Sequence, residues 1–330
     1  MMLILIAVLI LQIIMLLISP LFKYQWPFSL YYKHVFMPLF QDNEKLRWKF
    51  YLVPLFYSSI YLGVVHLAIR SVIPQLSSGL HFVDYWFFIP FFIVLTPATG
   101  ILAAIIGPET TKNYKRRSAD EFKYDYLLFY PNIKCRTCQL PKPARSKHCN
   151  VCNQCILAVD HHCIWINNCV GLGNYLYFYS FLVLNSLAMS YAFIRSIFIV
   201  WLTPHIRYPK SILAFNLLTG CFALICIVFT YLQLSMVREG MTTNEKDKWF
   251  TVHEYMREKR LVRSSNGRWY YDLTEQLDLP PDQHEFFSTN PYDGRVYRLH
   301  NYTLIEDAEQ INNIYDEGSF TDNLRTLCLT

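Results

Sequence analysis

Five long apolar runs divide the chain: Met1–Ile18, Tyr51–Ile69, Trp86–Ile106, Tyr175–Leu202 and Ile212–Val237. Each is close to or above the roughly 20 apolar residues that carry a helix across the hydrocarbon core of a bilayer. They are continuous blocks rather than amphipathic stripes, which is the pattern of membrane spans. The first run has no basic leader and no small-x-small cleavage pattern before Ser19-Pro20, so it reads as an uncleaved anchor. Between the third and fourth runs the pattern changes. That segment lacks helical periodicity and is rich in turn formers, among them Pro141, Pro143, Asn150, Asn153, Gly171 and Gly173. Beyond the fifth run the chain has water-soluble character. Trp249, Val252, Tyr255 and Met256 recur there at helical spacing, which predicts a helix packed on the turn-rich segment. Residues 275–300, with Pro280-Pro281 and Asn290-Pro291, read mostly as turns. The expected fold is an all-α integral membrane protein, a multi-span helical bundle. Residues 1–107 hold three spans and a polar loop near 20–50. Residues 108–174 form a small extramembrane module, 175–237 two further spans, and 238–330 a mixed tail.

Composition agrees with this division. Of 330 residues, 53% are hydrophobic and 17% charged, against about 25% charged in an ordinary soluble domain. The net charge is +5, and its placement is more useful than its size. Loop 20–50 carries five Lys/Arg, segment 107–174 ten and the tail from 238 eleven, whereas loops 70–85 and 203–211 carry one and two. Five spans put these two groups on opposite sides of a membrane. The positive-inside rule then assigns the basic segments to the cytosol and the N-terminus to the lumen. The basic balance is thus a matter of topology, with some attraction to anionic headgroups of the bilayer, and no nucleic-acid partner is expected.

The cytosolic assignment changes how the cysteines read. Seven of the ten lie in the 35 residues from Cys135 to Cys169, together with His148, His161 and His162. In a reducing compartment such a set binds metal or does chemistry rather than forming disulfides. Two Cys-x2-Cys units, Cys135/Cys138 and Cys149/Cys152, make zinc the expected ion. Ten candidate ligands exceed by two the eight that a pair of four-coordinate structural sites requires. If the two left over are a cysteine beside a histidine, they form an activated nucleophile on a metal-stiffened scaffold. A zinc-binding ubiquitin ligase or a non-catalytic zinc scaffold would also bind two ions, but neither needs such a remainder.

The order Cys-x2-Cys-x9-His-Cys-x2-Cys-x2-Cys-x4-Asp-His-His-Cys-x5-Cys resembles the cysteine-rich domain of DHHC-type protein S-acyltransferases. The match runs from Cys135 to Phe178 and includes Pro143, Arg145, Trp165, Asn167, Asn168, Gly171 and Asn174. Thr242-Thr243-Asn244-Glu245, just after the last span, is similar to the family's Thr-Thr-x-Glu motif. Asp125-Tyr126-Leu127-Leu128 and Asn290-Pro291-Tyr292-Asp293 resemble the fungal endoplasmic-reticulum branch that acylates SNAREs. The family more often has four spans than five. Asn290-Pro291-Tyr292-Asp293-Gly294 matches the family's Asn-Pro-Tyr/Phe-x-x-Gly element only in part.

The resemblance implies two structural zinc ions, one held by Cys135, Cys138, His148 and Cys155, the other by Cys149, Cys152, His162 and Cys169. It implies Cys163 as the nucleophile that carries the acyl group, His161 as its general base and Asp160 as the residue that orients the histidine. Thr242, Thr243 and Glu245 would dock the tail on the cysteine-rich module. The implied reaction moves a long-chain acyl group from palmitoyl-CoA to cysteines beside the spans of membrane proteins, SNAREs among them. The chain would lie in the endoplasmic-reticulum membrane with module and tail in the cytosol. No residue is assigned to hold the acyl-CoA. Arg195 and His66, near span ends, read as snorkelling or peripheral groups, and Cys221 and Cys226 as packing residues. Cys328 does not fit a prenylation box.

Overall fold

In the computed structural model the chain forms two compact units, Met1–Leu55 and Phe56–Thr330. The structure describes residues 12, 15, 19, 25–37, 49–113, 122–203, 209–274, 277 and 284–328. Nearly all of the expected first span, Pro280-Pro281 and about half of loop 20–50 lie outside the described residues. In the first unit a short helix, α1 (Phe28–Tyr31), continues into a π-helical turn at Tyr32–Phe36.

Among the described residues four helices are long and apolar enough to cross a membrane: Lys49–Gln75, Asp84–Ile105, Tyr175–Leu202 and Lys210–Arg238. Their α-helical parts are α2 (Leu52–Leu67), α3 (Ile89–Ile105), α4 (Tyr175–Leu202) and α5 (Lys210–Arg238). The helix that contains α2 runs on through a π-helical turn to Gln75. His66 therefore lies well inside it, on an exposed face, rather than near its end.

Inside a bilayer every freed backbone group needs a protein partner. Pro97 in α3 has no N–H to donate to the Ile93 carbonyl, and the Tyr61 hydroxyl of α2 donates to that carbonyl at 2.8 Å. Close packing follows from small residues. A Cβ at Gly100 of α3 would lie 2.6 Å from the Phe181 ring of α4. Between α4 and α5, the Ser186 and Thr230 hydroxyls meet at 2.9 Å. Arg195 departs from expectation. It does not snorkel, because Asp84 of the neighbouring span holds its guanidinium at 2.6 Å. Cys221 is exposed and Cys226 half-buried on α5.

The module between α3 and α4 consists of two antiparallel hairpins. In one, β1 (Lys147–Cys149) pairs with β2 (Gln154–Ile156); in the other, β3 (His161–Cys163) pairs with β4 (Asn168–Val170). The tail holds helix α6 (Thr243–Arg257) and a five-stranded antiparallel sheet. Its strands are β5 (Leu261–Ser264), β6 (Trp269–Asp272), β7 (Phe286–Ser288), β8 (Val296–Tyr297) and β9 (Tyr302–Leu304), in the order β8-β7-β6-β5-β9. The buried stripe of α6, Trp249, Val252 and Met256, packs chiefly on that sheet through Leu261 and Trp269, and on Leu127 just before the module. β7 and β8 occupy the stretch expected to be mostly turns. Strands this short owe their form to the neighbours they pair with more than to their own residues. Helix α7 (Phe320–Cys328) ends the described chain, with Asn323 and Leu327 buried.

Where α5 leaves the bundle, Gly240 takes φ +64°, and a Cβ there would lie 2.6 Å from the Asp316 backbone. Gly240→Ala is thus both strained and crowded, and should lower stability by more than about 1 kcal/mol. Gly63→Ala, which meets nothing within 4 Å, is the control and should leave the thermal midpoint unchanged or slightly raised. Thermal unfolding of the two variants in nanodiscs checks both outcomes.

Candidate active site and metal centres

Side chains of a strand alternate between faces, and this sorts the cysteines and histidines of the module. Along β1, His148 turns to one side and Cys149 to the other. Along β3, His162 turns to one side while His161 and Cys163 share the opposite one. Cross-strand register then brings His148 opposite Cys155 and His162 opposite Cys169. Each Cys-x2-Cys unit folds as a knuckle: the Cys138 and Cys152 amides donate to the Cys135 and Cys149 sulfurs at 3.4 Å. The result is two four-membered groups, Cys135/Cys138/His148/Cys155 and Cys149/Cys152/His162/Cys169, whose donor atoms all lie within 4.8 Å of one another.

These groups could each bind a metal ion. A tetrahedral ion with sulfur at about 2.3 Å and nitrogen at about 2.0 Å has ligand-to-ligand edges of about 3.5–3.8 Å. In the first group Cys138 Sγ lies 3.3 Å from His148 Nδ1 and 3.8 Å from Cys155 Sγ. In the second, His162 Nδ1 lies 3.8, 3.4 and 3.6 Å from the sulfurs of Cys149, Cys152 and Cys169. The donor chemistry and the spacing both fit such an ion, and each set is complete at four.

Cys163 and His161 belong to neither group. Cys163 is 4% exposed and sits in an apolar cluster with Ile166, Tyr175, Phe178, Phe181 and Leu327. His161 Nδ1 is 2.6 Å from Asp160 Oδ2, and its ring meets the edge of Phe178 with centroids 5.5 Å apart. Burial alone would lower the pKa of His161, but the Asp160 carboxylate and the Cys163 sulfur stabilise its charged form and push it up to about 9. A cationic imidazole beside a sulfur is an arrangement that stabilises thiolate.

Asp160 is itself held from the tail. Its Oδ1 accepts from the Thr243 amide at 2.5 Å and its Oδ2 from the Thr243 hydroxyl at 2.9 Å. Thr242 caps α6 in a capping box with Glu245. Glu245 also takes Arg145 in a two-pronged contact at 2.6 and 2.7 Å, with both side chains at most 2% exposed. Phe122 and Tyr315 flank the guanidinium at 5.0 and 4.7 Å. Next to it, Asn313 donates to the Glu239 carbonyl at 2.9 Å. Thus Asn313-Ile314-Tyr315-Asp316-Glu317-Gly318 is the tail segment at this contact, while Asn290–Gly294 lies in the β7–β8 loop, where Tyr292 accepts from Lys142 at 3.1 Å. On the membrane side, Asn168 and Asn174 donate to the last carbonyls of the α3 span, both reaching Ile106 O at 3.0 Å.

Arg145, Tyr315 and Asn168 escaped a role when read from sequence, since a pattern match gives their positions and not their partners. Arg145 is 2% exposed and takes φ +59° in a tight turn, and neither fact shows until the backbone is known. The two closed ligand sets lead to a count. Cys155→Ser or Cys169→Ser should lower bound metal by one equivalent each, and Cys163→Ser by none, as measured by metal analysis of the purified protein.

Residues 129–250 match the sequence profile of the DHHC palmitoyltransferase family. The chain is 49% identical over 323 residues to palmitoyltransferase SWF1 of Saccharomyces cerevisiae, covering 96% of each protein. It is 43% identical to palmitoyltransferase SWF1 of Kluyveromyces lactis, covering 95% of this chain and 94% of that one. To palmitoyltransferase ZDHHC4 of Bos taurus it is 37% identical over 144 residues, 43% of this chain and 42% of the relative. With spans, paired ligand clusters and a likeness that extends over almost its whole length, this chain belongs to the DHHC palmitoyltransferases, a family of membrane-bound protein S-acyltransferases.

Proposed function

We propose that the enzyme transfers a palmitoyl group from palmitoyl-CoA to protein cysteines through an acyl intermediate on Cys163. The observation that carries this is the remainder: two complete ligand sets leave His161 and Cys163 side by side on the other face of β3. Cys163 thiolate attacks the thioester carbonyl, the bond to the coenzyme A sulfur breaks, and that sulfur takes a proton from the His161 imidazolium. His161, now neutral, draws the proton from a substrate thiol, whose sulfur attacks the acyl-Cys163 carbonyl and releases Cys163. Asp160 fixes the tautomer and supports the imidazolium, and Thr243 fixes Asp160. The ions are zinc, which favours tetrahedral thiolate and imidazole ligands. Closed sets leave them no open position, so they hold the fold and take no part in the transfer.

The donor has two unlike ends. Its acyl chain suits the apolar surroundings of Cys163 and the helix bundle, at about 0.8 kcal/mol per buried methylene. Its phosphates suit a groove where Lys142, Lys147 and Lys248 converge with Phe129, Tyr130 and Tyr292. Asn244 supports this use, for its side-chain Nδ2 in that groove is buried without a hydrogen-bond partner among the described residues. Substrates are membrane proteins with cysteines at the end of a span, because only these bring a thiol to Cys163 at the bilayer surface. The resemblance of Asp125-Tyr126-Leu127-Leu128 and Asn290-Pro291-Tyr292-Asp293 to the fungal endoplasmic-reticulum branch supports SNAREs among the substrates and the endoplasmic reticulum as the compartment. The basic loops support a cytosolic module and tail and a lumenal N-terminus.

Purified wild-type protein given labelled palmitoyl-CoA should take up one hydroxylamine-sensitive acyl group. Cys163→Ala should take up none while retaining its metal. His161→Ala should slow uptake by about 10²–10⁴-fold. Uptake by Cys163→Ala equal to that of the wild type would sink the proposal.

A further inference from the structure

Cys163 has to meet a thioester and then a thiol, yet it is 4% exposed. Part of its cover must move before either can reach it. Most of that cover comes from the ends of α4 and α5 beside the module, through Tyr175, Phe178, Phe181 and Val237. Those side chains sit on long helices packed against each other, and such packing resists local opening. One contributor differs. Leu327 of α7 is 2% exposed within the same cluster, and Leu324 and Cys328 pack against it.

Helix α7 has nine residues, too few to hold a helix in water without support. Its support has two parts. Leu324, Leu327 and Cys328 form one face at helical spacing and rest on the Cys163 cluster, while Thr321, Asp322 and Arg325 are exposed. The other part is a polar fastening at Asn323. Its side chain accepts from the Glu317 amide at 2.8 Å, and donates to the Asp316 carboxylate at 2.9 Å and to the Arg238 carbonyl at 3.4 Å. Just before α7, Gly318 takes φ +81° with nothing within 4 Å of a Cβ position, so the chain has room to pivot there. A short helix held by three apolar side chains and one polar fastening is the kind of element that opens by itself.

The approach to Cys163 is not closed equally on all sides. Ile164 and Trp165, which follow it at the turn between β3 and β4, are exposed, and Trp165 meets Tyr57 of a span edge-on with centroids 6.5 Å apart. Exposed apolar groups beside a span face lipid. A thiol carried at the end of a span can approach there, whereas a thiol in water meets the polar face of α7.

We infer that α7 is a lid over Cys163, fastened by Asn323, which shields acyl-Cys163 from water and dissolved thiols and so restricts transfer to cysteines at the bilayer surface. The restriction rests on the proposed acyl-Cys163; the cover itself does not. The test treats metal-loaded protein in nanodiscs with a charged, lipid-insoluble thiol reagent. Leu327→Ala removes much of the lid's packing, so Cys163 should be modified about tenfold faster or more, with the six ligand thiols as protected as in the wild type. Asn323→Ala, which removes only the fastening, should act in the same direction and serves alone if Leu327→Ala does not fold. Val262→Ala, a similar loss in the core of the tail sheet, should leave the rate unchanged. In acylated protein both lid variants should release palmitate to water faster. They should also raise transfer to free cysteine relative to transfer to a span peptide ending in cysteine. If both folded variants modify Cys163 and release palmitate at wild-type rates, α7 is a brace and the inference is overturned. Faster modification with an unchanged ratio of acceptors overturns the restriction. If wild-type protein forms no acyl-Cys163, the parent reading fails, and the modification rates still decide whether α7 is a lid.

Discussion

A strand cannot turn two consecutive side chains to the same face, and the organisation of the cysteine-rich module depends on that constraint. His148 and Cys149 are neighbours in the chain yet serve different clusters, and His161 and His162 are parted in the same way. The two hairpins are only three residues deep per strand, too short to be stable alone. The metal-ligand clusters are what can hold them. The same alternation that fills the second cluster with His162 leaves His161 and Cys163 together on the other face, where Asp160 and Phe178 meet the histidine.

That module would be of little use if it could turn relative to the membrane. Two sets of contacts prevent this. Asn168 and Asn174 take up carbonyls at the end of the α3 span, which a helix end leaves without partners. The Arg145–Glu245 pair ties the module to the first turn of α6. Since Glu245 also closes the capping box of that helix, the geometry of α6 and the docking of the module are one arrangement. Thr243 in the same turn carries it to Asp160. A buried ion pair is weak as a source of stability and costly to break on one side. Here its flanking rings and second acceptor, the Gly240 carbonyl, leave neither charge exposed to an apolar surrounding.

Much of this is written locally in the chain. Continuous apolar runs give spans wherever they are described, and Cys-x2-Cys spacing gives knuckles whose amides point at sulfur. The stripe on α6 gives a helix with a buried face, although its face lies on the tail's own sheet. What is not written locally concerns partners far apart in sequence. Arg195 looks like a residue that reaches for water, until the fold brings Asp84 from another span. β7 and β8 read as turns because strands of two or three residues take their form from pairing. Tyr315 has no signal of its own, since its place against Arg145 depends on the tail returning to the module.

The count of ligands against sites can be tested on the folded protein without any substrate. Alkylation of the metal-loaded enzyme by a small thiol reagent, followed by peptide mapping over time, reads the reactivity of all seven thiols from Cys135 to Cys169. The account predicts that Cys163 reacts while the six ligand thiols stay protected until a chelator is added. Modification of any ligand cysteine as fast as Cys163 in the metal-loaded protein would contradict it.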